Sequence, residues 1–140
     1  MGLTSWRIDR SEWPVVRLAL ERRDDGAEPD FETFLARSNE LLATGERFAV
    51  VIDLHGNHAN AERRSRLAAW YRAHQPSVAR QVVAVAVVAS SALHRGVVTA
   101  MSWLVTSPMP VASFAAAASA RAWARQQMFP RARRDVKSAR

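Results

Sequence analysis

One apolar run dominates the sequence: Arg47-Phe48-Ala49-Val50-Val51-Ile52-Asp53-Leu54-His55-Gly56. It has no polar alternation and ends in an acid, a histidine and a glycine. Such a run predicts a strand that is buried on both faces, as in a parallel sheet covered by helices. A second run over residues 81–90 repeats this pattern after an intervening helical segment. Together the two runs predict an α/β fold.

The segments before the first run predict an entry hairpin and a helix. Residues 6–9 and 13–20 are typical of two short strands joined by a polar connection. Residues 21–29 are dense in charge, which favours a surface loop. Asp30 is a suitable N-cap for the helix that follows, and Gly45 is a suitable C′ residue at its end.

The segments around and after the second run alternate between helix and strand. Gln75-Pro76-Ser77 should end or bend the first of these helices. The predicted order is β β α β α β α β α, which gives a mixed sheet of about five strands with an N-terminal antiparallel hairpin and about four helices. The later elements are a helix over residues 61–74, a strand over 81–90, a helix from Ser91 to Pro108, a strand over 110–114 and a helix over 115–128.

Length and composition indicate one globular domain. The 140 residues are 49% hydrophobic and 24% charged, which is ordinary for a soluble protein. No stretch approaches the roughly 20 apolar residues of a membrane span, and the N-terminus lacks the apolar segment of a secretory signal. The absence of cysteine excludes disulfides and thiolate chemistry. These features predict a cytoplasmic protein whose domain spans residues 1–129.

The net charge of +7 is concentrated at the C-terminal end. Residues 130–140 hold five basic residues and one acidic residue, so this tail, which is expected to be disordered, carries +4 of the total. A nearly balanced body with a basic end is weaker evidence for nucleic-acid binding than a basic face would be. A nucleic-acid partner is therefore not predicted.

Polar residues follow the two buried strands and form the main candidate site. In an open α/β sheet, ligands bind at the carboxyl ends of the strands, so the two groups meet at one edge if their strands are neighbours. The edge is predicted to bind a ligand or a partner. Its residues are Asp53, His55 and His58 after the first strand, and Ser90, Ser91, His94 and Arg95 after the second.

The residue types at this edge are compatible with metal binding, acid–base catalysis or anion binding. The acid and the three histidines are suitable ligand types for a divalent metal, but they lie on loops, and neither a metal nor another cofactor is predicted. A histidine beside Asp53 could act in acid–base catalysis, yet no nucleophile elbow or glycine-rich phosphate loop accompanies it, so no enzyme is predicted. Ser90 and Ser91 at a helix start would favour an anion, although an ordinary N-cap is the simpler interpretation.

The helix over residues 61–74 is a second candidate surface. The arginines around Arg63 and Arg64 make it basic, and Trp70 lies on its apolar stripe. Contact with nucleic acid or an anionic membrane was considered, but Glu62 and the lack of interleaved aromatic residues favour a solvated face. As contacts to a protein partner, we select Arg63, Arg64 and Trp70.

Five features together resemble a known family. They are the strand over residues 48–53 that ends in an acid, Trp70 in the next helix, the strand over 82–88, His94-Arg95 at a helix start, and Ala122-Trp123 near the C-terminus. With the order of elements, they resemble the STAS domain, the anti-sigma-factor antagonist-like domain of bacteria, and its SpoIIAA-like and Sec14-like group. This resemblance implies a non-enzymatic regulatory module that binds a protein partner or self-associates as a homodimer. A small-ligand binder, for a lipid or an anion, is the alternative.

One departure from the family bears on regulation. In phospho-regulated STAS proteins, the loop after the central strand carries Asp-Ser-Ser/Thr-Gly, and its serine is phosphorylated. The matching segment of this chain starts at Asp53 and contains no hydroxyl residue before Ser65. The resemblance therefore supports the fold and the interaction role, and it does not support a phosphoserine switch.

Overall fold

A computed structural model describes residues 3–23, 31–53, 61–89 and 109–129 of the chain. These ranges form an α/β fold, as predicted. The strands are β1 (Leu3–Asp9), β2 (Val15–Arg23), β3 (Phe48–Asp53), β4 (Val82–Val88) and β5 (Val111–Phe114). The helices are α1 (Phe31–Ala43), α2 (Ala61–Ala73), α3 (Gln75–Gln81) and α4 (Ala117–Met128).

The strands form one mixed sheet in the order β1-β2-β3-β4-β5. β1 pairs antiparallel with β2, which confirms the predicted hairpin, and the remaining neighbours pair in parallel. The spatial order of the strands is thus their order in the chain. Each strand that comes later in the sequence consequently lies closer to the β5 edge of the sheet.

Helices cover both faces of the sheet, and β3 contributes to a core on each side. Val50 belongs to the core beneath α1, α2 and α3, whereas its neighbour Val51 belongs to the core beneath α4. Because successive strand residues point to opposite faces, a strand between two helical layers must be apolar throughout. On the α4 side, Ala120 and Ala124 are fully buried, and their small side chains allow the helix to lie close to the sheet.

Two elements differ from the sequence prediction. α2 ends at Ala73, close to the expected end, but a separate helix α3 follows at once and includes Gln81, which was assigned to the strand. Pro76 lies in the first turn of α3, where its missing N–H would have no helical partner. β2 also continues to Arg23, because Glu21, Arg22 and Arg23 pair with β1 through the backbone despite their charge. The predicted helix from Ser91 to Pro108 lies outside the described ranges.

The end of α1 is fixed by local and long-range hydrogen bonds. Gly45 adopts the left-handed conformation with a φ of 72°, as predicted for a C′ residue, and its N–H donates to the Leu42 carbonyl at 3.2 Å. The same carbonyl accepts a 2.8 Å hydrogen bond from Nε2 of Gln81. Gln81 is buried, and its Oε1 has no hydrogen-bond partner among the described residues. The Gln81 amide therefore joins the end of α1 to the start of β4.

We expect Gln81→Glu to destabilise the fold by about 3 kcal/mol at neutral pH, because it buries a carboxylate against the Leu42 carbonyl. Burial raises the folded-state pKa of such a carboxyl above its unfolded value, so the loss should shrink as the pH falls toward about 5. Urea unfolding at both pH values measures this change.

Gln81→Leu is the control for that experiment. It removes one hydrogen bond, but the Leu42 carbonyl keeps the Gly45 N–H, so we expect a loss of only about 1 kcal/mol that does not depend on pH. Equal losses in the two variants at every pH would show that the Gln81 amide does not occupy the buried position described above.

Candidate functional site

The carboxyl ends of β2, β3 and β4 meet at one edge of the sheet. β3 lies between the other two strands and is parallel to both, and Asp53 at its end is opposite Ala19 of β2 and Val88 of β4. The ends of β3 and β4 therefore lie side by side, which is the condition for one shared site at this edge. We refer to this edge as the carboxyl edge.

Asp53 is the predicted site residue of the carboxyl edge that the structure describes. His55, His58, Ser90, Ser91, His94 and Arg95 lie outside the described ranges, so whether they come together stays a prediction. In the described part of the chain, no three His, Asp or Glu side chains form a group that could hold a metal ion.

Asp53 is buried and has a cationic neighbour. Nη2 of Arg17 lies 3.3 Å from Oδ2 of Asp53, and the two side chains are 29% and 7% exposed. Arg17 lies opposite Val51, two residues before Asp53, so both side chains project from the same face of the sheet. This charge-assisted hydrogen bond compensates a carboxylate that would otherwise be costly to bury.

Arg17 was not among the predicted site residues. Its signal in the sequence is one long cation within the apolar strand from Val15, beside a strand that ends in an acid. That signal becomes interpretable only once the register places β2 next to β3. The partner of Asp53 can therefore be identified from the pairing of the strands, but not from the local sequence pattern.

The same face of the sheet carries a further acid on β1. Asp9 lies opposite Arg17, and its Oδ1 accepts a 2.8 Å hydrogen bond from the Ser11 N–H. The pKa of Asp9 lies below its usual value, chiefly because the Ser11 side chain and backbone hydrogen-bond to the carboxylate, with smaller contributions from Arg17 and Arg7. Arg17 thus stands between two carboxyl groups, one exposed and one buried.

α2 is attached to α1 mainly by polar contacts. Nε1 of Trp70 donates to Oδ1 of Asn39 at 2.7 Å, and the Trp70 ring stacks on His74 with centroids 4.6 Å apart. Arg66 forms a salt bridge with Glu32 and places its guanidinium 5.0 Å from the centre of the Phe31 ring. Arg63 and Arg64 lie in the first turn of α2. None of the α2 side chains that the structure describes is fully buried.

Trp70 consequently stabilises the fold, whether or not it also contacts a partner. It is half-buried, packs against the core beneath α1 to α3 and holds α2 to α1. The sequence pattern places Trp70 on the apolar stripe of its helix, which agrees with this position. Among the described helices, none has both the length and the hydrophobicity that crossing a membrane requires.

Comparison with protein families gives one match that covers most of the domain. A family model described as SpoIIAA-like matches residues 17–125, from β2 into α4 and well over half of the chain. The matched region begins at Arg17 and includes the whole carboxyl edge. No curated protein and no solved structure matches the chain.

We expect the Arg17–Asp53 pair to couple by about 1–2 kcal/mol in a double-mutant cycle with Arg17→Met and Asp53→Asn, because one partner is buried. The exposed Glu32–Arg66 pair provides the matched control. Its side chains are 69% and 39% exposed, so water screens the attraction and its coupling should stay below about 0.5 kcal/mol. Urea unfolding of the single and double variants measures both couplings, and equal values would contradict a structural role for Asp53.

Proposed function

The chain belongs to the SpoIIAA-like family, and on that premise we propose that it is a non-enzymatic STAS-type regulatory module that acts by binding a protein partner. The family match is the observation that carries this proposal. The proposal includes a cytoplasmic location, homodimer formation, and a domain over residues 1–129 followed by a basic tail. These finer points follow from the resemblance and from the composition discussed above.

The loop after β3 supports binding without a phosphoserine switch. Between Asp53 and Ser65 the sequence contains no serine, threonine or tyrosine. Ser65 lies within α2, beyond the loop in which the phospho-regulated relatives carry their serine. Partner binding by this chain would therefore not depend on phosphorylation at that loop.

The environment of Asp53 supports a structural role over a catalytic one. A general base needs an accessible carboxylate within reach of a substrate proton. The Asp53 side chain is instead 7% exposed and paired with Arg17. Its contribution is to hold β2 and β3 in register at the carboxyl edge, which positions the loops that leave this edge.

α2 offers the surface that we assign to the partner. The side of the helix toward α1 is occupied by the contacts of Arg66 and Trp70, while Ser65, Ala69 and Arg72 are exposed. Arginine is enriched at protein interfaces, so Arg72 is the member of this group that favours a partner. We place the partner against this outward side of α2 and the preceding loop.

The test begins with affinity purification of the tagged chain from its own cells, followed by identification of a stoichiometric protein partner. We expect Arg72→Glu, a charge reversal on this outward side, to weaken binding of that purified partner by about tenfold, because a charge reversal at an interface opposes association. Isothermal titration calorimetry measures the affinity, and circular dichroism confirms that the variant folds.

Arg37→Glu on α1 is the matched control, since Arg37, like Arg72, is an exposed helical arginine. It should leave the affinity within about twofold, as expected for a charge outside an interface. Trp70→Ala is a poor probe of contact, because the loss of the Asn39 bond would also destabilise the fold. If Arg72→Glu binds the partner as tightly as the wild type does, the placement of the partner on α2 is wrong.

A second candidate function is binding of a small ligand, a lipid or an anion, at the carboxyl edge. It is favoured by the parallel pairing of β3 with β4, which places Asp53 opposite Val88 at the ends of these two strands. Native mass spectrometry of the gently purified protein tests it. A co-purifying small molecule that His55→Ala/His94→Ala releases would support this function, and protein free of any ligand would count against it.

A further inference from the structure

β5 forms an open edge of the sheet. Within the described ranges, the strand order ends at β5, which pairs with β4 alone. The carbonyls of Pro110 and Phe114 accept hydrogen bonds from backbone N–H groups on the β4 side at 3.0 and 2.8 Å. Because alternate residues of a strand direct their backbone groups to opposite sides, the N–H and C=O of Val111 and Ser113 point away from the sheet. The edge therefore offers donors and acceptors to a further strand.

The two edges of the sheet differ in charge. β1, at the other edge, carries Arg7 and Asp9 as exposed side chains, and charges on an edge strand oppose pairing with another chain. β5 has the sequence Val-Ala-Ser-Phe and contains no charge. Pro110 precedes it, but the nitrogen of Pro110 faces β4 as its carbonyl does, so this proline removes no outward donor. Of the two edges, β5 is the one without charged side chains.

The side of α4 that faces β5 is also uncharged. Trp123 identifies this side, because its ring packs against the ring of Phe114 with the centroids 5.6 Å apart. The polar residues three or four positions from Trp123 share its side of the helix, and none of them is charged. They are Ser119, Gln126 and Gln127. Arg121 and Arg125 are each two residues from Trp123, a rotation of about 200°, so they point away from β5.

The opposite face of the sheet brings little charge to this edge. Val111 and Ser113 point to that face, as their partners Val85 and Val87 do. α3 packs against β4, and Arg80 is its one charged residue. α2 carries more charge, and it packs on α1 and α3. In the described part of the chain, a strand that approaches β5 therefore meets no cluster of like charges.

We propose that two copies of this chain associate by antiparallel pairing of their β5 strands. The interface is that of the homodimer included in the proposed function, and it rests on that proposal. Ala112 lies on the two-fold axis, so Val111 of each copy lies opposite Ser113 of the other. These become the hydrogen-bonded pairs, and each pair exchanges two hydrogen bonds. This register satisfies every outward backbone group of both strands.

The side chains fit the same register. Ala112 faces itself in a non-hydrogen-bonded pair, where the Cα atoms approach to about 4.5 Å, and its methyl group allows that approach. The exposed Pro110 lies opposite the half-buried Phe114 on each side of the axis. Such apolar cross-strand pairs stabilise antiparallel strands. They are needed, because β5 is four residues long and its backbone bonds alone form a small contact.

The symmetry of the pair fits the charge of the chain. A two-fold axis perpendicular to the sheet places both α4 helices on one face and both α2 helices on the other. Arg121 and Arg125 of each copy point away from the interface, so they do not oppose association. The outward sides of both α2 helices stay open, and the dimer presents two surfaces to protein partners.

Ser113→Pro tests the pairing by sedimentation equilibrium of the full chain over a range of concentrations. Proline removes the outward N–H and places its ring at the edge, without loss of a hydrogen bond to β4. We expect the dimer dissociation constant to rise by about tenfold or more. Ser113→Ala is the matched control. It keeps the N–H and should stay within about twofold of the wild type, and circular dichroism confirms the fold of both variants.

Cysteine variants test the register independently of the proline. The chain contains no cysteine, so an introduced thiol has no other thiol in its own copy. Ala112→Cys places two thiols face to face at a Cα separation of about 4.5 Å, and mild oxidation should yield a covalent dimer. Ser113→Cys is the matched control, because in this register its two copies lie more than about 7 Å apart, beyond the reach of a disulfide.

Three results would overturn the proposal. They are a wild type that stays monomeric at every concentration, a Ser113→Pro variant that dimerises as Ser113→Ala does, and equal cross-linking of the two cysteine variants. The first would leave the β5 edge to a strand of another protein. None of them affects binding of a protein partner on α2, which Arg72→Glu tests, so failure of the dimer can be distinguished from failure of the proposed function.

Discussion

The fold depends on the parallel pairing of β3 with β4, two strands that are apolar on both faces. This pairing forces a helical layer onto each side of the sheet, because an exposed apolar face would remain in contact with water. It also brings the ends of both strands to one edge, where Asp53 lies opposite Val88. The position of the candidate site and the separation of α2 from α4 onto opposite faces both follow from this central pair.

Two groups of charged residues lie around that pair, one within the sheet and one on a helix that covers it. Asp53 is buried within the sheet and held by Arg17, so its charge stabilises the arrangement of strands that places it there. Arg121 and Arg125 are exposed on α4, and their side chains form no ion pair or hydrogen bond within the described ranges. A charge that is satisfied internally supports the scaffold, whereas a charge without an internal contact is available for recognition.

Sequence reasoning predicted the elements whose signals are local. The apolar runs identified β3 and β4, and Gly45 identified the end of α1, because burial and a positive φ impose direct demands on residue type. Two features were missed because they depend on neighbours distant in the sequence. The pairing of Glu21 to Arg23 with β1 outweighs their loop-like charge, and Arg17 meets Asp53 only across two strands. α3 was not predicted because Pro76 was interpreted only as the end of α2. A proline is also favoured in the first turn of a helix, and Pro76 lies in the first turn of α3.

The strand order has a consequence for how the chain is made. In this sheet no later strand is inserted between two earlier ones, so each new strand adds to an edge that is already present. Such a chain can assemble as it leaves the ribosome, since its amino-terminal hairpin offers the template for β3, and β3 then offers the template for β4. The basic carboxyl-terminal helix is completed last, when the surface it covers is already in place.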